Sequence, residues 1–245
     1  MTEQEWCRHW TILDNEVRNA TEAFFIWKSV QNYAAGDEAA LRAMNKNANV
    51  WNAFTHSLQT NYIITLGRIF DDDNRSYSIY KLLAEASRNP ELFSIEALKR
   101  RKVEAGGGVE EEWLQNYLRD AWFPTADDLE QLRAAVRPAV QNWRDIYNPI
   151  RNKMFAHRDI KVDSHGLVGK TRVADFEKIL NILGDLLNAI FQIYINGRKP
   201  LLNGERYEIE KQITIETNAL MVRLTWREPE PGRHGLDNFF SQRNA

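Results

Sequence analysis

The densest chemistry in this chain lies in nine consecutive residues, Arg151-Asn152-Lys153-Met154-Phe155-Ala156-His157-Arg158-Asp159. They set two arginines, an amide, a lysine and a histidine around a small apolar stripe. A guanidinium grips a phosphate through two parallel N–H donors, which a lysine ammonium cannot do. An imidazole whose pKa lies near neutrality moves a proton at physiological pH. Asn152 can hold a phosphate or sugar oxygen, or orient the imidazole. Together these are the parts for cleaving a phosphodiester without a metal ion. The same residues also read as an exposed, charged helix end with a histidine in its last turn. Local chemistry alone leaves both readings open.

Spacing adds a constraint. Arg151 and His157 are six positions apart, about 600° around an ideal helix at roughly 100° per residue, so they do not share a face. Two copies meeting at a two-fold axis could each lend residues to one composite cleft. A catalytic role for this segment therefore implies a homodimer.

Other constellations carry less. Gly166-Leu167-Val168-Gly169-Lys170-Thr171 resembles the end of a phosphate-binding loop, but Ser164 stands where that motif needs its first glycine. No histidine has a glutamate three residues before it, as a helical-bundle metal site would want. The run Lys99-Arg100-Arg101-Lys102 reads first as a solvated helix end favoured by the helix dipole, and second as an RNA-backbone contact. Asp71-Asp72-Asp73 reads as a solvated loop rather than a Mg²⁺ site. No metal and no cofactor is expected.

The elements that must position these residues are helical. Trp6, Trp10, Leu13, Val17, Phe24 and Tyr33 form one stripe from Glu3 to about Ala35, where Gly36 stops the helix and Asp37 caps the next. A second long helix is predicted to about Phe70, so that two helices of roughly 50 Å form an antiparallel hairpin. Shorter helices are predicted over Ser76–Arg88, Ser94–Glu104 and Val109–Phe123. Thr125 caps another that reaches about Tyr147, with a kink at Pro138. Asn148 and Pro149 have the chemistry of an N-cap and first helical residue, opening a new turn that carries the Arg151 segment. Thr171 opens a strongly apolar helix ended by Asn196-Gly197. The stretch 207–226 fits both strand and helix spacing, with helix slightly favoured. The fold class is all-α, a single domain over 1–245 with a loose tail at 227–245.

Composition narrows the function. Lys+Arg total 32 against Asp+Glu 34, a formal net charge of -2, which argues against coating nucleic acid over the whole surface. A small cleft where Arg151, Lys153 and Arg158 supply a local positive field is still compatible. The single cysteine, Cys7, excludes an internal disulfide. Most of the eight tryptophans are expected to be core anchors. No secretory leader and no uncharged apolar stretch of membrane-spanning length is visible, so a cytoplasmic protein without a membrane partner is the plain expectation.

At Arg151, Asn152 and His157 the sequence resembles the HEPN superfamily, whose motif is Arg, a polar residue, a spacer and His. Five residues separate Arg151 from His157 here. Arg158 with His165 and Arg227 with His234 also satisfy the bare pattern, but the first spans a loop and the second contains two prolines. Ala156, Arg158-Asp159 and the stretch Tyr62–Phe70 followed by an acidic turn resemble the abortive-infection branch, over a core of about 37–196. The resemblance implies a metal-independent endoribonuclease of toxin–antitoxin or phage-defence type. His157 would be general acid or base, Arg151 would stabilise the transition state, and Asn152 would position the substrate, with Lys153 and Arg158 binding RNA. It further implies an RNA substrate, a homodimer and an antitoxin or regulatory partner. Some HEPN domains have no nuclease role, so the alternative is a non-catalytic dimerisation module that binds a nucleotide or partner.

Overall fold

Helix α1 (Glu3–Gly36) begins with a reciprocal cap. Thr2 Oγ1 accepts from the Glu5 N–H at 3.2 Å, and the Glu5 carboxylate accepts from the Thr2 N–H at 2.7 Å. At its far end Asp37 Oδ1 accepts from the Ala39 and Ala40 N–H groups and starts the next helix, as the sequence predicts. The computed structural model describes residues 2–73, 75–156, 171–199 and 209–225, and every regular element among them is helical.

The expected second long helix is two: α2 (Glu38–Asn45) and α3 (Ala48–Ile69). The break falls at Lys46-Asn47, between three asparagines whose amides compete with helical hydrogen bonds. It turns α2 across the end of α1, where Val30, Met44 and Met221 form a small cluster of their own. Helices α4 (Ile79–Arg88), α5 (Ile95–Ala105) and α7 (Ala126–Asn142) fall close to prediction. Helix α6 is shorter than predicted, Trp113–Arg119. Thr125 caps α7 through a second reciprocal box, with Asp128.

Helix α8 (Val173–Asn196) is the apolar centre, packed against α1, α5 and α7. Its mean hydropathy of 1.3 would suit a membrane span, but Phe176, Leu180, Leu183, Leu187 and Ile190 form one buried face inside the bundle. Burial within the protein accounts for that composition. Gly197 ends α8 at φ +52°, and a Cβ there would stand 2.6 Å from Leu98 Cδ2. Both conformation and space call for glycine. The ambiguous 207–226 stretch is helical where described, as α9 (Ile209–Thr225), packed along α1. The tail at 227–245 and the loop around Ser164–Gly166 lie outside the described residues.

Trp6 and Trp143 are fully buried, and Trp10, Trp27, Trp51 and Trp122 pack on cores, so the anchor role holds for most tryptophans. Among the described tryptophans Trp113 is the exception, half exposed, and Trp226 lies outside the described residues.

Candidate functional site

The segment carrying Arg151 does not begin a new helix. Winding continues from α7 through Pro138 and widens to a π turn at Trp143–Tyr147. It passes through Asn148–Ile150 and widens again over Arg151–Ala156. Asn148 has helical dihedrals (φ -62°, ψ -40°), so it is not an N-cap. The reason lies in the π turn. A proline ring inside an α-helix collides with the carbonyl four residues back. Here the Asn148 N–H bonds to the Trp143 carbonyl, five residues back, and the wider turn admits Pro149.

The segment is held from behind by aromatic packing. Phe70 stacks on Trp143, which stacks on Tyr147, whose ring lies 4.2 Å from that of Phe176. Tyr147 Oη accepts from the Arg172 N–H at 3.3 Å and lies 3.1 Å from Asp175 Oδ2, which ties the segment to the start of α8. Burial pushes the Tyr147 hydroxyl pKa up to about 12, so it is a neutral structural partner.

Arg151 and Asn152 come together. Arg151 Nη1 donates to Asn152 Oδ1 at 2.7 Å, and Asn152 Nδ2 donates to Asn148 Oδ1 at 3.3 Å. Both side chains are half-buried. Arg151 lies across α3 at Gly67, and its Nε is shielded from solvent with no hydrogen-bond partner. Among the described residues no carboxylate pairs with it, whereas Arg68 pairs with Glu16 and Arg144 with Asp72. A half-buried guanidinium with no counter-charge among the described residues is costly, and it is a candidate for holding an anion. Lys153 is exposed. Met154 and Phe155 pack on the core, as an apolar anchor for the polar residues before them. The other two predicted site residues, His157 and Arg158, lie outside the described residues.

Two neighbours on α3 escape the motif. Gly67 meets the Arg151 side chain, and His56 stacks on Phe155, ring centroids 6.1 Å apart and 21° from parallel. His56 leaves no local trace in the sequence. Gly67 does: a glycine inside a helical pattern loses about 1 kcal/mol against alanine and usually has a packing reason.

The basic run also takes part in the packing of the fold. Arg101 donates to Glu3 Oε1 at 2.6 Å and to the carbonyls of Leu92 and Tyr194, with its guanidinium 3.9 Å from the Tyr194 ring centroid. Arg100 also pairs with Glu3, Lys102 donates to Asn196 Oδ1, and Lys99 pairs with Glu110. Burial would raise the Glu3 carboxyl pKa, but the hydrogen bonds from Arg101, Tyr194 and Arg100 outweigh it and hold the group below the usual range. The run therefore clamps α5 to the first turn of α1 and the last turn of α8. The acidic turn is similarly occupied: Asp71 accepts from Ser76, Asp73 from Arg75, and Asp72 from Arg144. Among the described residues no three metal-ligating side chains gather.

An all-α chain with an Arg–Asn pair on a distorted helix, docked on a long neighbouring helix, is compatible with the HEPN class that the sequence resembles. Residues 3–212 match the AbiU2 family of HEPN proteins, and the chain belongs to that family, within the abortive-infection group. No curated protein and no solved structure matches the chain.

Proposed function

We propose that this protein is a metal-independent endoribonuclease, a phage-defence effector or toxin acting in the cytoplasm. The observation that carries the reading is Arg151. It is fixed through Asn152, lacks a carboxylate partner among the described residues, and is half-buried where a guanidinium interacts strongly with an approaching phosphate.

In this reading His157 takes the proton from a ribose 2′-hydroxyl, whose oxygen attacks phosphorus. The P–O5′ bond breaks and the leaving 5′-oxygen takes the proton that His157 carries, which regenerates the neutral imidazole. The products are a 2′,3′-cyclic phosphate and a 5′-hydroxyl. Arg151 stabilises the charge that builds on the non-bridging oxygens, and Asn152 fixes the guanidinium and the substrate. Lys153 and Arg158 hold the RNA backbone, and the chain acts as a homodimer with a composite cleft. Proton transfer of this kind supplies about 10²–10⁴-fold, and preorganised electrostatics a comparable share. Such an activity endangers its own cell, so an antitoxin or a regulatory partner accompanies it.

Expression toxicity tests the reading in cells. The wild type is expected to arrest growth and His157→Ala to relieve the arrest at equal expression. Equal growth of the two strains would favour a non-catalytic dimerisation and binding module.

A further inference from the structure

Gly67 sits in the buried C-terminal half of α3, between fully buried Leu66 and Arg68, which pairs with Glu16. Its backbone gives no reason for glycine, since it is helical and not among the positive-φ residues. An alanine there would gain helix propensity. What the position lacks is room. A Cβ would stand 2.8 Å from Arg151 Nε and 3.3 Å from both Cδ and Cγ of the same side chain. The three nearest atoms all belong to Arg151.

We propose that Gly67 is a positioning residue: the missing side chain forms the slot in which the Arg151 stem lies, and that slot sets where the guanidinium points. Two restraints then hold the arginine. The slot fixes Cγ, Cδ and Nε against α3, and Asn152 Oδ1 fixes Nη1 from the side. The slot also explains why Nε is sealed from water without an acceptor: it faces the helix backbone at a position with no side chain to offer one. This orientation leaves the Nη end of the fork as the part that can meet an anion. The catalytic meaning of the slot rests on the ribonuclease reading above; the slot itself does not.

Because the far end of an arginine is flexible, Gly67→Ala displaces Arg151 rather than unfolding α3. Misplacing a catalytic group by about 1 Å costs up to about 10²-fold in rate. For Gly67→Ala we expect kcat to fall about 10–100-fold with KM changed less than about threefold, the signature of an interaction made mainly in the transition state. The decisive companion is a four-protein stability cycle by urea unfolding: wild type, Gly67→Ala, Arg151→Ala and the double variant. Gly67→Ala should lower the midpoint in the wild-type background and raise it in the Arg151→Ala background, where the slot is empty and only helix propensity remains. Equal midpoint shifts in the two backgrounds would overturn the slot. Opposite shifts with an unchanged kcat would overturn its role in positioning. A wild type that cleaves no RNA refutes the ribonuclease reading instead, and with it the catalytic role, while the midpoint cycle still decides whether the slot exists.

Discussion

Arg151 Nη1 donates to Oδ1 of the adjacent Asn152 at 2.7 Å, and this amide oxygen stands where a carboxylate would neutralise the guanidinium. An amide orients the arginine without cancelling its charge. A carboxylate would do both.

Asn152→Asp therefore splits two properties that usually move together. Pairing the half-buried guanidinium should more than offset the lost Asn152 Nδ2–Asn148 Oδ1 bond and raise the urea midpoint slightly, by less than about 1 kcal/mol. It should also lower kcat/KM for RNA cleavage at least about tenfold, because the new charge competes with phosphate. Asn152→Ala should lower both, since it removes the restraint and adds no charge. If Asp and Ala variants cleave equally well, Asn152 does not act through Arg151.

The Arg101 clamp predicts a structural role for the basic run. Arg101→Ala removes one of the three hydrogen-bond partners of Glu3, leaving Arg100 and Tyr194, and frees two carbonyls, so a loss of about 2 kcal/mol is expected. Lys99→Ala removes one exposed pair and should cost less than about 0.5 kcal/mol. RNA affinity of the folded variants should be unchanged. A drop in affinity with no loss of stability would restore the run to the nucleic-acid surface.

His9 makes the fold acid-sensitive. Its ring is fully buried beside Tyr77 and bonds to the Ser78 carbonyl, and burial pulls its pKa down to about 4. The unfolded chain binds a proton near pH 6.5 and the folded chain does not, so stability falls as pH drops from about 6.5 towards 4. The contribution is on the order of 2 kcal/mol between pH 7 and 4.5. His9→Gln keeps an N–H donor for Ser78 without titrating. Its urea midpoint should lose less than that of the wild type across this window, and parallel losses would locate the acid sensitivity elsewhere.

Much of this fold is legible in the sequence. The caps at Thr125 and Asp37, the stripe of α1 and the apolar run of α8 are local signals, and each helix forms where its signal lies. The failures came where tertiary packing overrides a local rule. Asn148-Pro149 has the chemistry of a helix start, yet the π turn at Trp143–Tyr147, braced by Phe70 and Phe176, carries the winding through it. The split between α2 and α3, at an asparagine-rich stretch, leaves α2 packed with α9, a contact between residues far apart in the chain. At the site, Arg151 and Asn152 announce themselves by type. Gly67 contributes by having no side chain, and His56 by contact with Phe155, which only three-dimensional proximity reveals.

The most direct test of the account is cleavage of a single-stranded RNA by purified wild type, Arg151→Ala and His157→Ala proteins, each with and without EDTA, with the product ends mapped. Wild-type cleavage is expected to be unchanged by EDTA and to yield 2′,3′-cyclic phosphate and 5′-hydroxyl ends. Losses of at least about 10²-fold are expected in both folded variants. Cleavage that survives both substitutions, or that EDTA abolishes, would contradict the account.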